Sequence, residues 1–342
     1  MEIIVGKTAG FCFGVKRAVE ESEKIVNNNL KEKIYCLGEL VHNKQVIEKL
    51  SSKGIEFIEE FNDVKSNNCK VIIRAHGVEK NIYNEAKKSN IQLIDFTCPN
   101  VLKIHKIAEK YVDKGYYVLL TGTRNHPEVI GIVSNCKNQY SIIEKIEDIG
   151  EVLNKIDKLE IKKIILLSQT TFSLEKFKII ETIITHRIDT LNKDSINIFN
   201  NDKIKTINKD KIKTINNEKI NTINTDKIKN TTTNKLDKNY DLIVKNTICA
   251  ATEIRQKETE ELSKKVDKMI IIGGKKSSNT KKLYEISLKN CKSTFCIETY
   301  QDIKEFKIDE NDRIGIMAGA STPDMSIKEV INYINNIKVE VL

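Results

Sequence analysis

Short runs rich in Ile, Val and Leu alternate with stretches of helical periodicity along most of this chain, the pattern of stacked α/β layers. Strand-like runs stand at Ile3–Val5, Ile34–Leu37, Val71–Ile73, Leu93–Phe96, Tyr117–Leu120, Ile164–Leu167, Leu242–Val244, Met269–Ile272 and Ile314–Met317. Most are followed by a small or polar loop and then a helical stretch. Near Gly14, for example, a helix begins with Val15, Ala18, Val19, Ser22, Ile25 and Val26 on one face. A chain of 342 residues is too long for one simple core, so two or three small α/β units are expected. With 39% hydrophobic and 31% charged residues the composition suits a globular protein, and no apolar run approaches a membrane span. The opening residues read as a strand rather than a signal or transit peptide, so a cytoplasmic location is expected.

One region breaks the alternation. From about Asn192 to Lys238 the composition collapses to Asn, Lys, Ile, Thr and Asp, with an eight-residue repeat that begins at Asp202, Asp210 and Glu218 and decays from Asp226. One Ile-x-x-Ile pair per repeat is too thin to build a core, so a mobile surface insertion is expected. A small solenoid and a tether for a partner are the alternatives. The same stretch accounts for much of the net charge of +9: from Arg187 to Asn239 there are 12 Lys/Arg against 7 Asp/Glu. The remainder is mildly basic, and no nucleic-acid partner is expected. The expected division is 1–97 for a first unit, 98–191 for a second, 192–238 for the insertion and 239–342 for a third.

Eight cysteines without a secretory signal should be reduced thiols, and none forms a C-x-x-C pair. Any shared metal site must then be assembled from distant parts of the chain. Cys12 (Gly-Phe-Cys-Phe-Gly-Val), Cys98 (Thr-Cys-Pro) and Cys249 (Thr-Ile-Cys-Ala-Ala-Thr) each follow a strand-like run and precede a helix. Their spacings are 86 and 151 residues, and the second falls to about 100 without the insertion. That reads as one unit used three times, each delivering a thiol from its top. Helix starts favour thiolate, and three thiolates would leave one iron of a 4Fe–4S cube open to substrate. Taken singly, each is as well read as a small buried hydrophobe. Cys36, Cys69, Cys136, Cys291 and Cys296 lie in or beside apolar runs and read as structural.

His42, His76 and His126 sit in loops after strand-like runs, where open α/β sheets bind ligands. His105 shares an apolar helix face and reads as core, and His186 has no supporting context. Two loops suit phosphate: Gly273-Gly-Lys-Lys-Ser-Ser-Asn, with Ser277, Ser278 and Asn279, and Gly319-Ala-Ser-Thr-Pro, with Ser321. Ordinary N-capping would explain either loop alone. Neither is a Walker or dinucleotide motif. Glu128, two residues beyond His126, could deliver protons or could be a plain first-turn glutamate.

Together with Leu-Val-His-Asn, Arg-Ala-His-Gly, His-Pro-Glu and Gln169-Thr-Thr, these motifs run in an order that resembles the 4-hydroxy-3-methylbut-2-enyl diphosphate reductase family, from Ile3 to about Ile334. The resemblance implies three α/β units in a trefoil around one 4Fe–4S cluster per chain. It implies Cys12, Cys98 and Cys249 as cluster ligands. His42, His76, His126, Ser277, Ser278, Asn279 and Ser321 would bind the diphosphate, Glu128 would deliver protons, and Thr170 would lie near the substrate hydroxyl. Reduced ferredoxin or flavodoxin is the implied electron donor. Lys276 departs from the smaller polar residue expected before Ser-Ser-Asn. A cluster-dependent hydro-lyase, which needs no external electrons, and a non-enzymatic iron–sulfur carrier or sensor are the rival readings.

Overall fold

The computed structural model describes residues 1–28, 32–66, 68–197 and 240–340. β1 (Glu2–Val5) leads into α1 (Phe13–Asn28). A first run follows: β2 (Lys33–Leu37), α2 (Lys44–Ser52), β3 (Ile55–Ile58), β4 (Cys69–Ile73), α3 (Lys80–Lys88), β5 (Gln92–Asp95) and α4 (Pro99–Val112). The second holds β6 (Tyr117–Thr121), α5 (Pro127–Val133), β7 (Tyr140–Ile143), α6 (Ile149–Lys158), β8 (Lys163–Ser168), α7 (Leu174–Asn197), β9 (Asp241–Val244) and α8 (Ala250–Ser263). The third holds β10 (Lys268–Ile272), α9 (Ser278–Asn290), β11 (Thr294–Ile297), β12 (Arg313–Ala318) and α10 (Asp324–Glu340).

Among the described residues these strands form three four-stranded sheets, β3-β2-β4-β5, β7-β6-β8-β9 and β11-β10-β12-β1. Every pairing is parallel. One plan is used three times. The first and third strands of a unit pair in the middle, the second lies outside the first, and the fourth lies outside the third. Three similar α/β units were expected and are found.

The middle strands explain why the sequence was readable. β2, β6, β8, β10 and β12 are buried from their second residue onward, as parallel strands covered by helices on both faces must be. On one such face Phe177, Ile180 and Ile184 of α7 pack with Leu119, Ile164 and Leu166. Each fully buried apolar side chain contributes roughly 1.5–3 kcal/mol. The outer strands β3, β7 and β11 were not among the runs expected as strands. Each has only two buried residues in four, and Glu56 and Ser141 interrupt the apolar pattern of β3 and β7.

Sheet membership corrects the expected boundaries in two places. β1, placed by sequence in the first unit, is the fourth strand of the third sheet, in register from Glu2 opposite Arg313 to Val5 opposite Ile316. β9, placed in the third unit, pairs with β8 and completes the second sheet. A fourth strand finds its partner through tertiary pairing, which no local pattern encodes. The expected insertion at 192–238 also begins too early, because residues 192–197 complete α7. Its remaining residues lie outside the described ones. Asn192 Oδ1 accepts from Tyr240 N at 2.8 Å and its Nδ2 donates to Tyr240 O at 3.1 Å, so the residue just before β9 is tied to α7 within the second unit.

Candidate active site

In a parallel sheet the loops at the carboxyl ends of the strands gather on one edge, and here three such edges face one another. The fourth-strand loops carry the cysteines. Cys98 follows β5 and is the N-cap of α4, Cys249 follows β9 and is the N-cap of α8, and Cys12 follows β1 and precedes α1. All three line one cavity of about 130 Å³. The packing is close enough that a Cβ on Gly14 would lie 2.7 Å from Cys98 Sγ. Burial raises the Cys98 and Cys249 thiols above the ordinary range. Hydrogen bonds at the helix starts act the other way, from the N–H groups of Asn100 and Val101 toward Cys98 and from Thr252 toward Cys249. The Cys249 Sγ and Thr252 Oγ1 lie 3.0 Å apart.

The first- and third-strand loops carry the other expected residues. After the first strands come His42, His126 and the run Ser277, Ser278, Asn279; after the third come His76, Thr170 and Ser321. Every one of them lines the cavity with the cysteines. The His42 and His76 rings stack with centroids 4.4 Å apart, and His126 meets both edge-on at 5.5 and 5.2 Å. Burial first, then the neighbouring His42 and the Arg74 charge, push His126 down to about 3. His76 is lowered well below its usual value for the same leading reason. Ser321 Oγ donates to His42 O at 3.1 Å, and Thr171 Oγ1 meets Ser278 Oγ at 3.1 Å, tying the third unit to the other two.

Three imidazoles with ring nitrogens within 4.8 Å could suggest a metal site. The hydrogen bonds favour an anion instead. His126 Nδ1 accepts from Glu128 N at 3.1 Å, which assigns the proton of the neutral ring to Nε2. That nitrogen is then a donor. His42 Nδ1 lies 3.0 Å from Glu39 Oε2, a pairing that engages one ring nitrogen with a carboxylate. His76 Nδ1 and both amide atoms of Asn279 are buried with no hydrogen-bond partner among the described residues. Of these, His76 Nδ1 and Asn279 Nδ2 can donate, and donors left idle in a buried polar cavity fit an oxyanion better than an empty interior.

Glu128 faces Thr170 across the same cavity. Its Oε1 accepts Thr170 N at 2.7 Å and its Oε2 accepts Thr170 Oγ1 at 2.8 Å. It is 1% exposed, and burial pushes its carboxyl up to about 7 against those two hydrogen bonds. A first-turn glutamate serving only the helix dipole would face solvent. This one lines the cavity that the cysteines share.

Lys276, the departure noted in the sequence, reaches Glu39 Oε1 at 3.5 Å beside His42. His105 is buried on α4 away from the cavity, and its ring is lowered to about 4 by burial. Cys36, Cys69, Cys136, Cys291 and Cys296 do not line the cavity. Sequence reasoning missed Thr171, Thr252 and Arg255, which do. Thr252 and Arg255 could have been found as the residues one and two turns beyond Cys249 on its helix.

A family model described as LytB protein matches residues 3–197 and 190–335. The chain belongs to the LytB family. Among LytB relatives, the 4-hydroxy-3-methylbut-2-enyl diphosphate reductase of Thermoanaerobacter sp. (strain X514) is 38% identical over 341 residues, covering 99% of each chain. That of Clostridioides difficile (strain 630) is 36% identical over 337 residues, covering 98% of this chain and all of its own. A solved structure of (E)-4-hydroxy-3-methyl-but-2-enyl diphosphate reductase, described as the terminal enzyme of the non-mevalonate pathway, aligns with a TM-score of 0.61 at 32% identity over 98% of this chain and 100% of that one. The Plasmodium falciparum E-1-hydroxy-2-methyl-but-2-enyl-4-diphosphate reductase aligns with a TM-score of 0.73 at 27% identity, over 97% of this chain and 87% of that one. The three-unit LytB architecture expected from the sequence is therefore shared with solved members. No described helix is long and apolar enough to cross a membrane.

Proposed function

We propose that the chain catalyses the two-electron reductive dehydroxylation of 4-hydroxy-3-methylbut-2-enyl diphosphate. Substrate, two electrons and two protons give water and either isopentenyl or dimethylallyl diphosphate. The observation that carries this reading is one cavity shared by three helix-start cysteines, a histidine and serine cradle, and a buried carboxyl group.

Three thiols at helix starts, with no fourth sulfur lining the cavity among the described residues, fit a 4Fe–4S cluster with one open iron. Cys12, Cys98 and Cys249 would hold it. When bound it supplies electrons singly and a Lewis acid for the substrate hydroxyl. His42, His76, His126, Ser277, Ser278, Asn279 and Ser321 anchor the diphosphate through N–H and O–H donors, and this fixes the allylic end near the cysteines. Glu128 supplies protons, its carboxyl poised near neutrality where donor strength and occupancy are balanced. Thr170 holds Glu128 by two hydrogen bonds and lies beside the position of the hydroxyl. A reduced ferredoxin or flavodoxin is the electron donor, and one cluster per chain is expected.

Anaerobic reconstitution tests the cofactor reading. About four irons and four sulfides per chain are expected, and activity should demand a reductant. Turnover without one would favour a hydro-lyase, and iron far below that level would remove the cluster. The Gly14→Ala variant should keep its fold, at a cost of roughly 1–3 kcal/mol for overpacking. Its new methyl must displace the Cys98 sulfur, so iron content should fall sharply. Wild-type iron loading in that variant would mean that Cys98 is not a ligand.

Anion binding should also move protons. Burial first, then the neighbouring rings, hold His76 in the neutral form, and its Nδ1 has no partner among the described residues. A diphosphate among the rings reverses that balance, so inorganic pyrophosphate should bind with net proton uptake and more weakly as pH rises. Calorimetry in two buffers of different ionisation enthalpy measures the uptake. Zero uptake would count against the histidine cradle.

A further inference from the structure

α8 holds more of the site than Cys249. Arg255, two turns along it, is 3% exposed. Its Nε donates to Thr8 O at 2.8 Å and its Nη2 to Gly10 O at 2.9 Å, pinning the loop that ends in Cys12. Glu258, one turn further, accepts from Lys7 N at 2.6 Å, from Thr8 N at 2.9 Å and from Thr8 Oγ1. The helix capped by one cysteine thus fixes the loop that bears another. α1 repeats the device: Arg17 Nη2 donates to Thr97 O, next to Cys98, at 2.9 Å.

Arg255 differs from Arg17 in where it lies. It lines the cavity between Cys12 and Cys249, and its Nη1 is buried with no hydrogen-bond partner among the described residues. No carboxylate lies within ion-pair distance of it among those residues; Glu258, whose charge acts on it from further off, accepts its hydrogen bonds from Lys7 and Thr8. A buried, idle N–H on a full positive charge is costly to keep and calls for an acceptor. Sulfur carrying negative charge beside it would be one. Hydrogen bonds and positive charge near such sulfur make an added electron easier to accept.

We propose that Arg255 is a positioning residue that fixes the Cys12 corner and sets how readily the bound group is reduced, through its free N–H and its positive charge near Cys12 and Cys249. The inference rests on the reading of the three cysteines as cluster ligands. It assigns to this side chain a role separate from substrate binding and proton delivery.

The test compares Arg255→Gln, which removes the charge, with Arg255→Lys, which keeps it but cannot span both carbonyls. Iron and sulfide are measured first, then the midpoint potential without substrate. At a fixed reductant poise, Arg255→Gln should show a ratio of reduced to oxidised cluster lower by about tenfold or more, with Arg255→Lys close to wild type. An Arg255→Gln protein that loads fully with an unchanged potential overturns the proposal. Amide exchange of residues 7–12 in the metal-free chain judges the clamp even if Arg255→Gln fails to load. Exchange should quicken in both variants, and unchanged exchange in both overturns that part. A wild-type chain that takes up no iron and sulfide defeats the cluster reading itself, and the exchange result still decides whether Arg255 holds the loop.

Discussion

Cys98→Ser should leave a folded protein with little iron and no measurable turnover. The hydroxyl replaces a soft thiolate with a donor that stays protonated at neutral pH and binds iron poorly. Loss of an outer-shell partner already costs a metal site ~10–100-fold, and loss of one of three ligands should exceed that. The fold gives this variant its own control. Cys98 is the N-cap of α4, facing the Asn100 and Val101 N–H groups, and Ser is among the best residues for that position. The melting temperature of the metal-free protein should therefore hold or rise while iron, sulfide and activity fall. Falling stability with retained iron would assign Cys98 to the core instead. Cys249→Ser should behave alike, because Cys249 is the N-cap of α8 and a serine hydroxyl can take its place beside Thr252.

Glu128→Gln should lower turnover by ~10²–10⁴-fold while leaving substrate affinity nearly intact, the cost of losing one positioned proton donor. The amide can keep one of the two hydrogen bonds that Thr170 makes to the carboxylate, so the local geometry should survive. The pH dependence carries a sign. Burial raises this carboxyl from 4.5 to about 7, so its protonated form is the one the fold favours. Its stabilising contribution is full below the unfolded pKa and is lost as pH rises through about 7. Wild type should lose up to about 3 kcal/mol across that window relative to Glu128→Gln, read from denaturant midpoints at pH 5 and 8. Turnover of wild type should decline above neutrality as the donor is emptied. A Glu128→Gln enzyme with wild-type turnover would remove the proton-delivery role.

The parts of the fold that were legible are those whose cause is local. β8 and β12 announce themselves because burial on both faces demands apolar residues throughout. Cys98 could be singled out because a strand, a Thr-Cys-Pro turn and a helix stand in one short stretch. β1 could be seen as a strand, but its partner β12 begins more than three hundred positions away, and nothing in Glu2–Val5 names it. The His42–His76 stack and the Glu128–Thr170 pair are likewise products of sheets converging. Arg255 escaped notice for the same reason: its bonds to Thr8 and Gly10 reach across 247 and 245 positions of sequence. Its own neighbourhood, a polar helix with buried Thr252, Gln256 and Thr259, signals only that this helix faces other protein.

The decisive measurement is anaerobic turnover of 4-hydroxy-3-methylbut-2-enyl diphosphate by reconstituted protein with a strong one-electron reductant. Isopentenyl and dimethylallyl diphosphates should both form, in amounts set by the electrons supplied, and neither should form with Cys98→Ser. No product from protein of confirmed iron and sulfide content would contradict the proposed reaction.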